Sequence, residues 1–127
     1  MRKFLLLIIL AFLFSEPFDG MTLITTRGND ESSISQTILI DNDLNIINTW
    51  IHDTRLEGIA YLSSDSILYI QPKINTSEQG IGGRYKKITW NGDVIWDYTL
   101  DICKSHHDIS VLPNGNILSI CTEFKSF

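Results

Sequence analysis

An all-β fold is predicted by three features of this 127-residue chain. Apolar residues alternate with polar ones at a period of two, as the two faces of a pleated strand require. Short clusters of Asn, Asp, Gly and Ser interrupt them at regular intervals, and such residues favour tight turns. Isoleucine is abundant, and its branched Cβ suits a sheet better than a helix. No stretch sustains a helical period.

The chain opens with MRKFLLLIILAFLFS, residues 1–15: two positive charges and then an apolar run from Phe4 to Phe14. That run is too short to span a bilayer, which takes about 20 residues, and it has the length of a signal-peptide core. Export with cleavage after Ser15 is expected, leaving no stable membrane anchor and a secreted or periplasmic product. Arg27 to Ser33 is polar and patternless, an exposed loop. Ile38 and Ile40, then Leu44 and Ile46, alternate on either side of Asp41-Asn42-Asp43. Ser63-Ser64-Asp65 marks the next turn. Pro72 to Gly83 reads as a second exposed loop and carries the sequon Asn75-Thr76-Ser77. Asn91-Gly92 and Asn114-Gly115 are hairpin signals, because these residues tolerate the positive φ that such turns need. Val94, Trp96, Tyr98 and Leu100 alternate after the first of them, and Ile109 to Leu112 precede the second.

The pattern recurs. ILIDNDLNIINTW (Ile38 to Trp50) lies over KKITWNGDVIWDY (Lys86 to Tyr98) at an offset of 48 residues. GIAYLSSDSILYI lies over DISVLPNGNILSI at an offset of 50. Two similar units of about four short strands each, at 22–71 and 84–123 with a linker at 72–83, are how propeller blades look in sequence. Residues 16–127 are accordingly expected to form a partial β-propeller. A sandwich of unrelated hairpins is the competing architecture. Propellers usually close with 4–8 blades, so the chain is expected to be a fragment whose remaining blades are its missing partners.

Composition excludes several functions. Charged residues are 20% of the chain and the net charge is -5. Without Arg2 and Lys3 eight basic residues face fifteen acidic ones, a balance of −7. No basic patch is left for nucleic acid. Two cysteines, Cys103 and Cys121, are too few for a zinc cage, and neither metal nor cofactor is expected. They could pair in an oxidising compartment. An unbroken hairpin with Leu112 opposite Ile117 would set them roughly 16 Å apart, beyond disulfide reach at the ~3.3 Å rise per residue. Pairing would need the chain to fold back at Lys104-Ser105.

His106-His107-Asp108 is the constellation that could carry chemistry. It stands just before the strand at Ile109, and the first unit has Leu56, Glu57 and Gly58 in its place. An imidazole there can serve as base, nucleophile or ligand, and Asp108 could fix its tautomer. Strand alternation would point His106 and His107 to opposite sides. Two histidines that merely satisfy loop carbonyls are the structural alternative. His52 is expected to be exposed, and Trp50, Trp90 and Trp96 to pack between blades.

Asn91-Gly92 with Trp96 and Tyr98, then His106-His107-Asp108, then Leu112-Pro113-Asn114-Gly115-Asn116-Ile117-Leu118 together resemble the arylsulfotransferase family of six-bladed propellers. The resemblance runs over roughly Thr22 to Glu123. It implies sulfuryl transfer from an aryl sulfate donor to a phenolic acceptor through a sulfohistidine. His106 and His107 become the candidate catalytic residues, as channel groups supporting a nucleophile that later blades would carry. Two other readings stand beside it. One is a propeller module that only binds a ligand or partner. The other is a quinoprotein dehydrogenase, whose calcium site would need clustered carboxylates.

Overall fold

Four tight turns of one kind organise the chain. In each, the first residue's amide donates to the carbonyl four residues on, and its own carbonyl accepts the amide three residues on. The turns begin at Asp41, Ser63, Thr89 and Leu112. The fourth residue of each adopts a left-handed φ: Leu44 (64°), Ser66 (63°), Gly92 (94°) and Gly115 (78°). Side chains brace three of them. Asp41 Oδ1, Ser63 Oγ and Thr89 Oγ1 accept the amides of Asn45, Ile67 and Asp93 at 2.8, 3.2 and 3.0 Å. Leu112 has no such oxygen. There Pro113 presets φ, and Asn114 Oδ1 takes the Asn116 amide at 3.0 Å.

The computed structural model describes residues 18–26, 35–74 and 82–122. The leader, the loop after Thr26 and the sequon at 75–77 lie outside them. The described residues form strands only: β1 (Thr22–Thr26), β2 (Ser35–Ile40), β3 (Ile46–His52), β4 (Tyr61–Leu62), β5 (Leu68–Ile70), β6 (Arg84–Ile88), β7 (Val94–Thr99), β8 (Lys104–Val111) and β9 (Ile117–Thr122). They make three antiparallel sheets in chain order: β1-β2-β3, β4-β5-β6-β7 and β8-β9. None closes on itself. The all-β prediction holds.

The division into units does not fall at 72–83. Strands β5 and β6 flank that segment and pair with each other, Leu68 with Ile88 and Ile70 with Lys86. Pro72 itself bridges Leu56. The sheet boundaries lie instead between β3 and β4 and between β7 and β8. Turn residues reveal hairpins, but the β5–β6 pairing crosses a long connection and leaves no turn signature.

Alternation assigns the faces. Leu68, Ile70 and Ile88 of the middle sheet pack with Leu39, Trp50, Leu56 and Ala60, sealing it to the first sheet. Tyr69 and Tyr85, on the opposite face, pack with Ile109, Val111 and Ile117 of the third. Trp50 sits edge-on to Trp90 at 5.5 Å and donates its indole N–H to the Thr89 carbonyl, tying turn to sheet. Strand β7 shows no alternation of burial, although its sequence alternates. All six residues are exposed, because neither the first sheet on one face nor the third on the other extends over this edge strand. Trp96, expected to pack, is 37% exposed and stacks on Tyr98 at 5.6 Å.

The repeat has a closer register than the letters suggest. The turns at Asp41 and Thr89 are 48 residues apart, and so are the extra residues Ile47 and Ile95 that bulge β3 and β7. The turns at Ser63 and Leu112 are 49 apart, not the expected 50. Identical Ile-Leu pairs favour the wrong match by one residue.

Candidate functional site

Strand β8 is broken by its own histidines. Ser105 pairs with Cys121 and Ile109 with Ser119, so His106, His107 and Asp108 together face the single residue Ile120. This wide bulge leaves the three residues out of the ladder, and bulges commonly re-aim side chains beside functional sites. His107 takes a left-handed φ of 59°, a conformation in which histidine is enriched among the residues with a side chain. The expected opposition of the two rings is therefore lost. Their centroids lie 4.0 Å apart with the planes at 78°. Both side chains are exposed.

Neighbours hold the bulge in place. Tyr61 of β4 donates its hydroxyl to Asp108 Oδ1 at 2.7 Å, and the Ile109 amide donates to the same oxygen at 2.8 Å. The hydrogen bond to Asp108 raises the Tyr61 pKa above its ordinary value. Asp108 thus binds a phenol, and the expected carboxylate–imidazole pair is not what it makes. Buried Gln71 donates its amide to the His107 carbonyl at 3.4 Å. Gly58 permits this approach: a Cβ there would collide with the Gln71 amide and stand 2.8 Å from the His107 carbonyl. Tyr61, Gln71 and Gly58 carry no motif, so only the packing of β8 on the middle sheet reveals them. Beside the bulge a cleft of about 960 Å³ runs between the turns at Ser63 and Leu112, with Tyr61, Tyr69 and Asp108 in its wall.

The bulge also decides the cysteines. Its two extra residues draw Cys103 back until its Cα is 5.8 Å from that of Cys121, and the two form a disulfide. Without the bulge the ladder would put His107 opposite Cys121. The expected pairing of Leu112 with Ile117 is replaced by Val111 with Ile117. The chain does not fold back at Lys104-Ser105, which pair with Thr122 and Cys121; the bulge at 106–108 takes up the length instead.

His52 is buried, 6% exposed, rather than exposed as expected. It ends β3 on the face turned to the middle sheet, where its Nε2 meets Thr37 Oγ1 at 2.8 Å. Burial pulls its pKa from 6.5 down to about 4.

Next to His52 lies a group of charges that no sequence motif announces. Lys86 Nζ, buried in β6, donates to both oxygens of Asp53 at 3.0 and 2.9 Å. Arg84 forks onto Asp97 of β7, Nε to Oδ1 at 2.8 Å and Nη2 to Oδ2 at 2.6 Å. Lys86 also approaches Asp97 at 4.0 Å. The Lys86 hydrogen bond holds the Asp53 carboxyl below its usual range, and the Arg84 fork does the same for Asp97. The Asn91-Gly92 turn contained a hint, since the hairpin it implies sets Lys86 close to Asp97. Among the described residues no three His, Cys, Asp or Glu side chains converge as a metal site would require, and no helix is long and apolar enough to cross a membrane.

No family model, curated protein or solved structure matches this chain.

Proposed function

We propose that the chain belongs to an exported β-propeller of arylsulfotransferase type, with His106 and His107 as sulfuryl-contacting groups. In this reading β4–β7 is one four-stranded blade, β1–β3 the last three strands of the blade before it, and β8–β9 the first two of the next. The turn correspondence supports that phasing, since the hairpins β2–β3 and β6–β7 match each other, as do β4–β5 and β8–β9. β8 is then the equivalent of β4, the innermost strand of a blade.

The observation that carries the functional reading is the pair of exposed imidazoles, 4.0 Å apart, on a bulge in that strand. A neutral imidazole carries one ring N–H, and paired rings can each donate it to an oxygen of a sulfate ester. The disulfide accords with an oxidising compartment. A module that binds without chemistry is the second reading. It is favoured by Asp108, which is committed to Tyr61 and so orients neither imidazole.

Titration with p-nitrophenyl sulfate, followed through the imidazole NMR resonances of His106 and His107, tests the proposal. Saturable shifts that need the sulfate group, and that p-nitrophenol alone does not produce, are expected. Equal response to p-nitrophenol would favour the binding module. Resonances unmoved at millimolar ligand would remove the site.

A further inference from the structure

The charged cleft beside His52 holds more cationic donors than its own carboxylates can use. It measures about 710 Å³ and is walled by Asp53, Thr54, Arg55, Lys73, Arg84 and Asp97. Both carboxylates are already bound. Asp53 receives Lys86 from below, and Asp97 receives the Arg84 fork. Among the described residues neither Arg55 nor Lys73 is ion-paired. The backbone nevertheless holds them together: the Lys73 amide donates to the Arg55 carbonyl at 2.7 Å.

Two further atoms lack what they need. Arg55 Nε and Thr54 Oγ1 are shut off from solvent and have no hydrogen-bond partner. A buried donor left unmade costs free energy, so native proteins rarely keep one without a reason. Arg84 spends two of a guanidinium's five N–H groups on Asp97 and keeps the rest. Three cations (Arg55, Lys73 and Arg84) thus share the cleft wall with two carboxylates, one of which is also bound by buried Lys86, in a chain of net charge -5.

From this we propose that the cleft binds the oxyanion end group of a small molecule, a sulfate or phosphate monoester. Arg55 and Lys73 supply the charge, and binding turns the Arg55 side chain so that its Nε and Thr54 Oγ1, covered by protein until then, reach an acceptor on the ligand. Arg84, fixed by its fork on Asp97, presents its remaining N–H groups without having to be ordered on binding. The carboxylates stay on their cations and do not face the anion unscreened. The volume fits a ligand larger than a bare anion, since small-molecule pockets span roughly 300–1,000 Å³. This site involves neither His106 nor His107, and it stands or falls apart from the sulfotransferase reading.

Isothermal titration of the full chain at low ionic strength, with phenyl phosphate, p-nitrophenyl sulfate, inorganic phosphate and inorganic sulfate as probes, tests it. Saturable binding is expected, tighter for the esters than for the inorganic ions. Arg55→Gln and Lys73→Gln should each weaken it about tenfold or more, the range for a lost charged hydrogen bond. His106→Ala and His107→Ala should leave this binding as it is. If the inorganic ions bind as tightly as the esters, the ligand is a free anion and the ester assignment is overturned. Absence of saturable binding up to about 10 mM, tenfold above a Kd of about 1 mM, or binding unchanged in Lys73→Gln, overturns the site. Lys73 fills no buried donor position, so its variant decides the question if Arg55→Gln fails to fold.

Discussion

Tyr61 and Asp108 are 47 residues apart in the chain, yet the Tyr61 hydroxyl donates to Asp108 Oδ1 at 2.7 Å and pins the bulge of β8 to the first strand of the middle sheet. The contact is partly open to solvent, so its value is modest. Tyr61→Phe should lower stability by about 0.5–1.5 kcal/mol, the net worth of one hydrogen bond. It should also change the chemical shifts of both imidazoles. A urea melt and a histidine-selective spectrum check the two effects; unchanged imidazoles would mean that the bulge keeps its shape unaided.

The Cys103–Cys121 bond closes an 18-residue separation. A loop of that size is worth about 3 kcal/mol through restriction of the unfolded chain. Reduction should lower the urea midpoint accordingly. Protection of β8 and β9 amides against hydrogen exchange should fall first, because the third sheet has only two strands. An equal loss across all three sheets would indicate a single cooperative unit.

His52 makes stability depend on pH. Its folded pKa of about 4 lies below the unfolded value of 6.5, so the unfolded chain takes up a proton at higher pH than the folded one. Stability is complete above about pH 6.5 and is lost as the pH falls toward 4, by up to about 3 kcal/mol. The lowered pKa values of Asp53 and Asp97 add a further loss once the pH drops into the carboxylate range. Denaturation midpoints between pH 4 and 7.5 measure the slope. His52→Gln should flatten it over the first part of that window, and an unchanged slope would assign it elsewhere.

Leu44 and Ser66 occupy left-handed positions that Gly92 and Gly115 fill in the matching turns. A side chain there costs roughly 1–2 kcal/mol, while glycine loses more entropy on folding. Leu44→Gly and Ser66→Gly should therefore stabilise by about 0.5–1 kcal/mol, with the larger effect at Leu44 because its side chain is 76% exposed and gives up little packing. Gly115→Ala should destabilise by a similar amount. Thermal melts of the three proteins give the order directly.

The two end sheets present apolar outer faces. Ile24, Ile47 and Ile51 are exposed on the first, and Leu118 and Ile120 on the third. Contiguous apolar surface of this kind drives association. Residues 17–127 expressed alone should self-associate, and Ile51→Lys with Leu118→Lys should reduce the effect in sedimentation. On the propeller reading proposed above, the same protein should not transfer sulfate from p-nitrophenyl sulfate to phenol, because the channel site of that reading needs groups from several blades held within ~0.5 Å. Phenol-dependent release of p-nitrophenol by a monomer would contradict both statements.

The hairpins were legible in the amino-acid order because their causes are local. Asp41, Asn91-Gly92 and Pro113-Asn114-Gly115 bias backbone angles within five residues, and the alternation around them needs only neighbours in the chain. The site was legible in part: His106, His107 and Asp108 stand out as letters, but strand periodicity aimed them apart. Only tertiary structure determined that β5 pairs with β6 across 72–83, since long-range pairing depends on which faces can bury each other. Packing also turned His52 inward, brought Arg55 and Lys73 beside Arg84, and left Val94 to Thr99 uncovered. The bulge is the sharpest case. Two extra residues in β8 change every pairing beyond them, and a ladder's register is set by the burial of its faces and by partners such as Tyr61, Gln71 and Gly58. Those partners lie far away in the chain, and no period or motif within β8 encodes them.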